Sequence, residues 1–297
     1  MTMAMSRIAV LASCFNRKAT TLAGLESLFR QKKVEELKIT VFLVDDASTD
    51  GTPAAVAERF PDVRLLHGNG SLWWVGAMRK AFAAAMAEGY DGYVWWNDDT
   101  ELVEDALHRL VSCALQVEPQ LGPAIIVGST CDPETGKLTY GGWRRRPSWR
   151  RVDFVRVEPG KDEPVLVDIM NGNCVLIPHA VARIVGNMES KFRHRLADHD
   201  YSMRAAKAGF AIVLAPGYVG RCKGNSSAGT WRDGTIPFAA RWKDLMSPRG
   251  MDPREWMLYT RRHYGALWPI YAVSPYLKTI MGLGLRTDFG KEESPKM

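Results

Sequence analysis

Tyr93-Val94-Trp95-Trp96-Asn97-Asp98-Asp99-Thr100 begins with four strand-favouring residues and ends abruptly in four residues with oxygen-bearing side chains. A short, wholly apolar run of this kind fits a strand buried on both faces. The same unit recurs upstream. Ile8 to Phe15 is a continuous apolar run, and residues 18 to 30 then place Leu22, Leu25, Leu28 and Phe29 on one helical face. Ile39 to Val44 is a second strand ending at Asp45-Asp46, and residues 52 to 60 read as a helix after the turn Ser48-Thr49-Asp50-Gly51. Val63 to Leu66 makes a third strand, Trp74 to Glu88 an Ala-rich helix closed by Gly89, and Glu101 to Glu118 a further helix. Strands and helices in alternation predict an α/β fold with a parallel sheet covered by helices. Open sheets of that type bind ligands beyond the carboxyl ends of their strands. Both acidic pairs, Asp45-Asp46 and Asp98-Asp99, fall at such ends.

The second half is less regular. Strands are expected at Ala124 to Val127, Val165 to Asp168, Cys174 to Ile177 and Ala211 to Leu214, with a helix from Asp198 to Lys207. Gly217 to Asp233 reads as a loop, and residues 252 to 263 and 266 to 285 as helices. The pattern divides the chain into residues 1–225, carrying the sheet, and a C-terminal loop and helical extension, 226–297.

The chain has 297 residues, 46% hydrophobic and 24% charged, which excludes a disordered chain, a collagen-like repeat or a coiled-coil rod. No uninterrupted apolar run reaches about 18 residues, so no spanning helix is expected, and the first residues lack a signal-peptide cleavage site. Five scattered cysteines without a CxxC pair point to a reducing cytoplasm rather than a disulfide or zinc scaffold. Much of the net charge of +6 lies in Trp143 to Arg151, where five arginines surround two tryptophans. Such a loop suits a nucleic acid, an anionic membrane or a phosphorylated substrate, and equally a solvated basic surface.

Asn97 and Asp99 stand at i and i+2, on one side of an extended segment. Hard cations such as Mg²⁺ or Mn²⁺ take a few carboxylates plus substrate phosphate oxygens; Asp98, Asp99 or Thr100 capping the following helix is the structural alternative. In Asp198-His199-Asp200 the two acids are about 200° apart on a helix, so they cannot share a cleft. Asp200 has Arg204 four residues on, leaving Asp198 as either a general base or an N-cap. There is no GxxxxGK loop, dinucleotide glycine pattern, HExxH or GxSxG.

Taken in order, Ser13 to Arg17, Val44 to Gly51, Asn69 to Met78, Trp96 to Thr100, Asn171 to Cys174 and Ala197 to Tyr201 resemble a family 2 glycosyltransferase of the GT-A fold, Rossmann-like with a mostly parallel sheet. The tail, from Arg241-Trp242 through Ser274-Pro275-Tyr276, resembles a bacterial rhamnosyltransferase-like subgroup. The resemblance implies a nucleotide-diphosphate-sugar donor (dTDP- or UDP-linked, with rhamnose as one sugar), a divalent Mn²⁺ or Mg²⁺, and inversion at the anomeric carbon. It implies Asp46 at the nucleobase, Asn16 and Arg17 near base or diphosphate, Asp98 at ribose or sugar, and Asp99 on the metal with Asn97 as the first motif position. Asp198 becomes the base that deprotonates the acceptor hydroxyl. Trp73 and Trp74 are candidates for a platform or for core; Arg79 and Lys223 are candidates for the diphosphate. Relatives often carry a His after the base, and Gly220 to Gly224 has none.

The acceptor implied is a glycan or lipid-linked glycan, at the cytoplasmic side with peripheral membrane contact as an option and no nucleic acid. A sugar-nucleotide pyrophosphorylase and an idle sugar-binding module are the competing readings. The first opens with a Gly-rich loop that Ser13 to Lys18 lacks, and the second has no need for Asp46, Asp99 and Asp198 together.

Overall fold

The computed structural model describes residues 5–146 and 154–284. Up to Lys223, apart from His194–Leu196, they form one compact unit; His194–Leu196 and the chain from Gly224 onward form a second.

In the first unit β1 (Arg7–Cys14), α1 (Lys18–Phe29), β2 (Lys38–Asp45), α2 (Thr52–Arg59), β3 (Arg64–His67), α3 (Trp73–Glu88) and β4 (Gly92–Trp96) alternate as expected. β1, β2, β3 and β4 are parallel, in the order β3-β2-β1-β4. Seven of the eight residues of β1 and all five of β4 are buried, because helices cover both faces of the sheet.

From here the chain departs from the expected pattern. Glu101 does not open a helix: Glu101–Leu102 is a short strand, β5, and α4 runs over Ala106–Leu121. None of Asp98, Asp99 and Thr100 is therefore its cap. β6 (Ile125–Cys131), β7 (Leu138–Tyr140), β8 (Gly142–Arg145), β9 (Phe154–Val157), β10 (Val165–Val167), β11 (Ile169–Met170) and β12 (Cys174–Pro178) follow, then α5 (His179–Val185), α6 (Ala197–Lys207) and β13 (Ile212–Arg221). β12 enters the sheet antiparallel between β4 and β6. β13 runs parallel to β6 with two register shifts and continues to Arg221, inside the stretch expected as loop. β11, β8 and β9 make a separate antiparallel sheet.

The acids' position depends on a glycine. A Cβ on Gly24 of α1 would overlap the Asp98 carbonyl oxygen and meet Trp96 Cζ2 at 2.9 Å. Only glycine lets α1 lie this close to the end of β4.

The second unit contains α7 (Phe238–Leu245), α8 (Pro253–His263) and α9 (Trp268–Ile280). Asp252 caps α8, its side chain accepting from the Arg254 and Glu255 main-chain N–H groups. Trp256 is buried here and donates through Nε1 to the Tyr271 carbonyl, while Tyr276 Oη donates to that of Met251.

Candidate active site

Asp98 and Asp99 leave β4 at its carboxyl end in different environments. Asp98 is fully buried; Thr21 Oγ1 donates to its Oδ2 at 2.6 Å, and Arg17 Nη2 lies 3.1 Å from Oδ1. That approach makes an ion pair but not a hydrogen bond, so Oδ1 is a buried oxygen without a donor. Burial pushes the Asp98 carboxyl up to about 6, with Arg17 and Thr21 pulling the other way. Asp99 is 39% exposed, and Arg17 Nη1 reaches its Oδ2 at 3.2 Å. One guanidinium thus spans both acids. Thr21 carried no motif in the sequence; its only signal was a hydroxyl among the apolar residues of α1.

Asn97 is held differently. Trp74 Nε1 donates to its Oδ1 at 2.8 Å, fixing the indole of the first turn of α3 against the end of β4. The Asn97 main-chain N–H donates to the Asn173 carbonyl at 2.9 Å, tying β4 to the segment 171–173. In that segment the Gly172 N–H donates to Asp198 Oδ2 at 3.1 Å, and the His199 N–H donates to Oδ1 at 2.9 Å. A Cβ on Gly172 would stand 2.9 Å from the Trp74 ring and 3.4 Å from Asp198 Cβ, so the glycine lets the indole and the acid converge. Asp200 is buried in an ion pair with Arg204 at 2.9 Å, as the i,i+4 spacing predicts.

Asp46 does more to the backbone than its placement beside a nucleobase implied. Its Oδ1 accepts from the N–H groups of Asn69 (3.1 Å) and Gly70 (2.8 Å), and its Oδ2 from those of Leu72 (2.9 Å) and Trp73 (3.3 Å). The carboxylate organises the whole turn into α3. Trp73 at its tip has φ 56°, a left-handed backbone unusual for a bulky residue, and is 37% exposed. Asn16 is left-handed too (φ 49°), with its Oδ1 accepting from the Thr49 N–H at 2.7 Å. Arg79 lies in α3 and is half-buried, its main-chain carbonyl accepting from Asn187 Nδ2.

Beyond β13, Cys222 Sγ lies 3.8 Å from Asp99 Oδ1 and 3.9 Å from Asn173 Nδ2. Burial, then the Asp99 charge, push its thiol up to about 12. Lys223 pairs with Glu134 at 3.2 Å on the surface, both side chains being exposed, rather than turning toward Asp99. Among the described residues no three His, Cys, Asp or Glu side chains gather as a metal cage. Asp99, partly open to solvent beside the donorless oxygen of Asp98, nevertheless suits a divalent ion whose remaining ligands are diphosphate oxygens and water.

Residues 9–154 match the family model described as Glycosyl transferase family 2. Over that stretch, just under half of its length, the chain is similar to a family 2 glycosyl transferase. Its fold agrees: the mannosyltransferase PcManGT from Pyrobaculum calidifontis, solved with GDP-Man and Mn²⁺, superimposes with a TM-score of 0.55 at 16% identity, over 93% of this chain and 71% of that one. S. aureus TarS 1–349, solved with UDP, gives 0.53 at 12% identity, over 86% and 70%. Two curated relatives from Mycobacterium tuberculosis, strains CDC 1551 / Oshkosh and ATCC 25618 / H37Rv, are each an N-acetylglucosaminyl-diphospho-decaprenol L-rhamnosyltransferase. Each is 27% identical over 208 residues, 61% of this chain and 65% of the relative. The match thus spans just under two thirds of those proteins. Asn16, Arg17, Asp46, Trp73, Trp74, Arg79 and Asn97 to Asp99 lie inside the family 2 stretch, while Asp198 and Lys223 lie beyond it.

Proposed function

We propose that the protein is an inverting glycosyltransferase, moving a sugar from a nucleotide-diphosphate-sugar to a glycan hydroxyl. The observation that carries this reading is the line of contacts from Arg17 and the two acids, through Asn97 and Trp74, to Gly172 and Asp198. Those contacts join an oriented carboxylate, Asp198, to the end of β4 where Arg17, Asp98 and Asp99 meet, which supports a donor and a base in one site.

In this reading Asp198 removes the acceptor hydroxyl proton as its oxygen attacks the anomeric carbon from the face opposite the diphosphate. The new C–O bond forms as the bond to the diphosphate breaks, and the electron pair leaves with the phosphate. Two backbone N–H groups hold both Asp198 oxygens and fix their direction. Mn²⁺ or Mg²⁺, with Asp99 as its protein ligand, supplies charge neutralisation at the departing diphosphate. Arg17 shares that charge, with Arg79 as a candidate from α3; Lys223 reaches it only by leaving Glu134. Asp46 and Asn16 act on the donor by shaping the turns at 69–73 and 48–49, and Trp73 offers an exposed ring to base or sugar. The name of the curated relatives supports rhamnose as the sugar and a lipid-diphosphate-linked acceptor; dTDP or UDP as the carrier nucleotide, and work at the cytoplasmic face of a membrane, belong to the same proposal.

Turnover of a nucleotide-sugar panel by the purified protein tests this. Asp198→Asn is expected to lower turnover by about 10²–10⁴-fold with nucleotide binding intact. Undiminished transfer by that variant removes Asp198 from the chemistry.

A further inference from the structure

The small sheet β11-β8-β9 presents an ordered basic face. Trp143 pairs across the strands with Arg156, and Arg145 with Phe154, so the four side chains share one face in alternation. The Arg156 guanidinium lies 5.0 Å from the Trp143 ring centroid, and that of Arg145 lies 5.4 Å from the Phe154 ring. Stacking on a ring restrains a guanidinium without consuming its N–H donors. Among the described residues neither arginine has a carboxylate partner. Asp168 binds the Arg145 main-chain N–H at 2.7 Å rather than its guanidinium.

This face is coupled to the site. Trp143 Nε1 donates to Asn171 Oδ1 at 3.0 Å, and the Asn171 N–H donates to the Gly141 carbonyl at 2.8 Å. Asn171 directly precedes Gly172, whose N–H holds Asp198. Along this line of contacts Gly172, whose N–H holds Asp198, stands between the donor-side group (Arg17, Asp99, Trp74) and the Trp143–Arg156 face. A base that activates an acceptor hydroxyl belongs between donor and acceptor.

We propose that Trp143, Arg145, Phe154 and Arg156 form the acceptor subsite, and that it takes a sugar carrying a phosphate next to the reacting residue. Two arginines held over aromatic rings, with their N–H donors still available, suit phosphate oxygens. This rests on the glycosyltransferase reading and adds the acceptor's chemistry and location. The phosphate can belong to a lipid diphosphate or to a soluble sugar phosphate.

Binding of three probes to the full chain separates these cases: farnesyl-diphosphate-linked N-acetylglucosamine, N-acetylglucosamine 1-phosphate, and neutral octyl N-acetylglucosaminide. Arg145→Ala/Arg156→Ala is expected to weaken the phosphate-bearing probes by about tenfold or more, and to leave the neutral probe and nucleotide binding unchanged. Arg145→Lys/Arg156→Lys, which keeps the charge, is expected to recover part of the loss. Both exchanges are at exposed positions, and melting temperature checks the fold. Loss confined to the farnesyl probe assigns the lipid diphosphate, while equal loss for both assigns the sugar phosphate itself. Failure of both phosphate probes to bind wild type, or binding of both unaltered by the alanine pair, overturns the proposal. Failure of every nucleotide to bind would instead count against the glycosyltransferase reading, so the two failures are distinct.

Discussion

Asp98 is ionisable, buried and only partly compensated, and its energetics follow from those facts. Its folded value of about 6 exceeds the ordinary 3.8, so the protonated acid favours the native state. That contribution is complete below the unfolded value and is lost as pH rises through about 6. Asp98→Asn retains an acceptor for Thr21 Oγ1 and removes the charge. It is expected to exceed wild type in stability by about 1–3 kcal/mol at pH 8 and to match it near pH 4, as urea melts at both values would show. A variant less stable at pH 8 would mean that the Arg17 ion pair outweighs burial. The sequence displayed the acid by its position at a strand end, but not its surroundings. Burial came from α1 passing over Gly24, and the hydroxyl from Thr21, neither of which has a motif.

At the scale of elements, the turn 69–73 is hung on one carboxylate. Asp46→Ala strips four N–H groups of their acceptor and is expected to cost about 1–3 kcal/mol, since water reaches part of the turn. Proteolysis within 69–73 should rise in the same variant, and unchanged melting would show the turn to be held from elsewhere. Gly172→Ala presses a methyl between Trp74 and Asp198, and is expected to reduce turnover more than stability. The alternation through β4 was legible because β1, β2 and β4 carry continuous apolar runs and the helices between them bury apolar residues. The next segment was not: Glu101–Leu102 has a helix-compatible composition, yet pairs with Gly220–Arg221 of β13. β7, β8, β9 and β11 are strands of only two to four residues, too short to show a period in the sequence. The tip of the basic loop, residues 147–153, lies outside the described residues.

Over the whole molecule charge and apolar surface are unevenly shared. The second unit holds twelve Lys and Arg against seven Asp and Glu, most of the chain's net +6. α9 buries Ala272, Pro275 and Thr279 on one side and exposes Ile270, Val273, Leu277 and Ile280 on the other. No helix among the described residues is long and apolar enough to cross a membrane. Seating of this exposed stripe at an anionic lipid surface is part of the proposed reading. Sedimentation with phosphatidylglycerol vesicles is expected to fall by about tenfold or more in Ile270→Ser/Leu277→Ser and with added salt. Equal partition of wild type and variant would return the stripe to protein packing. The basic and aromatic composition of this tail was plain in the sequence; which residues remained uncovered depended on the packing of α7, α8 and α9.

The proposed donor site lies at the carboxyl end of this sheet, where a nucleotide diphosphate is expected with a divalent ion at Asp99. The measurement is a thermal-shift panel of UDP, dTDP, GDP and CDP with and without Mn²⁺, on wild type and Asp99→Ala. A nucleotide at a hundred times its Kd adds about 2.7 kcal/mol to stability. A Mn²⁺-dependent rise in melting temperature is expected with one nucleotide and is expected to be lost in Asp99→Ala; no shift with any nucleotide, or an undiminished shift in the variant, would remove the metal-assisted donor site.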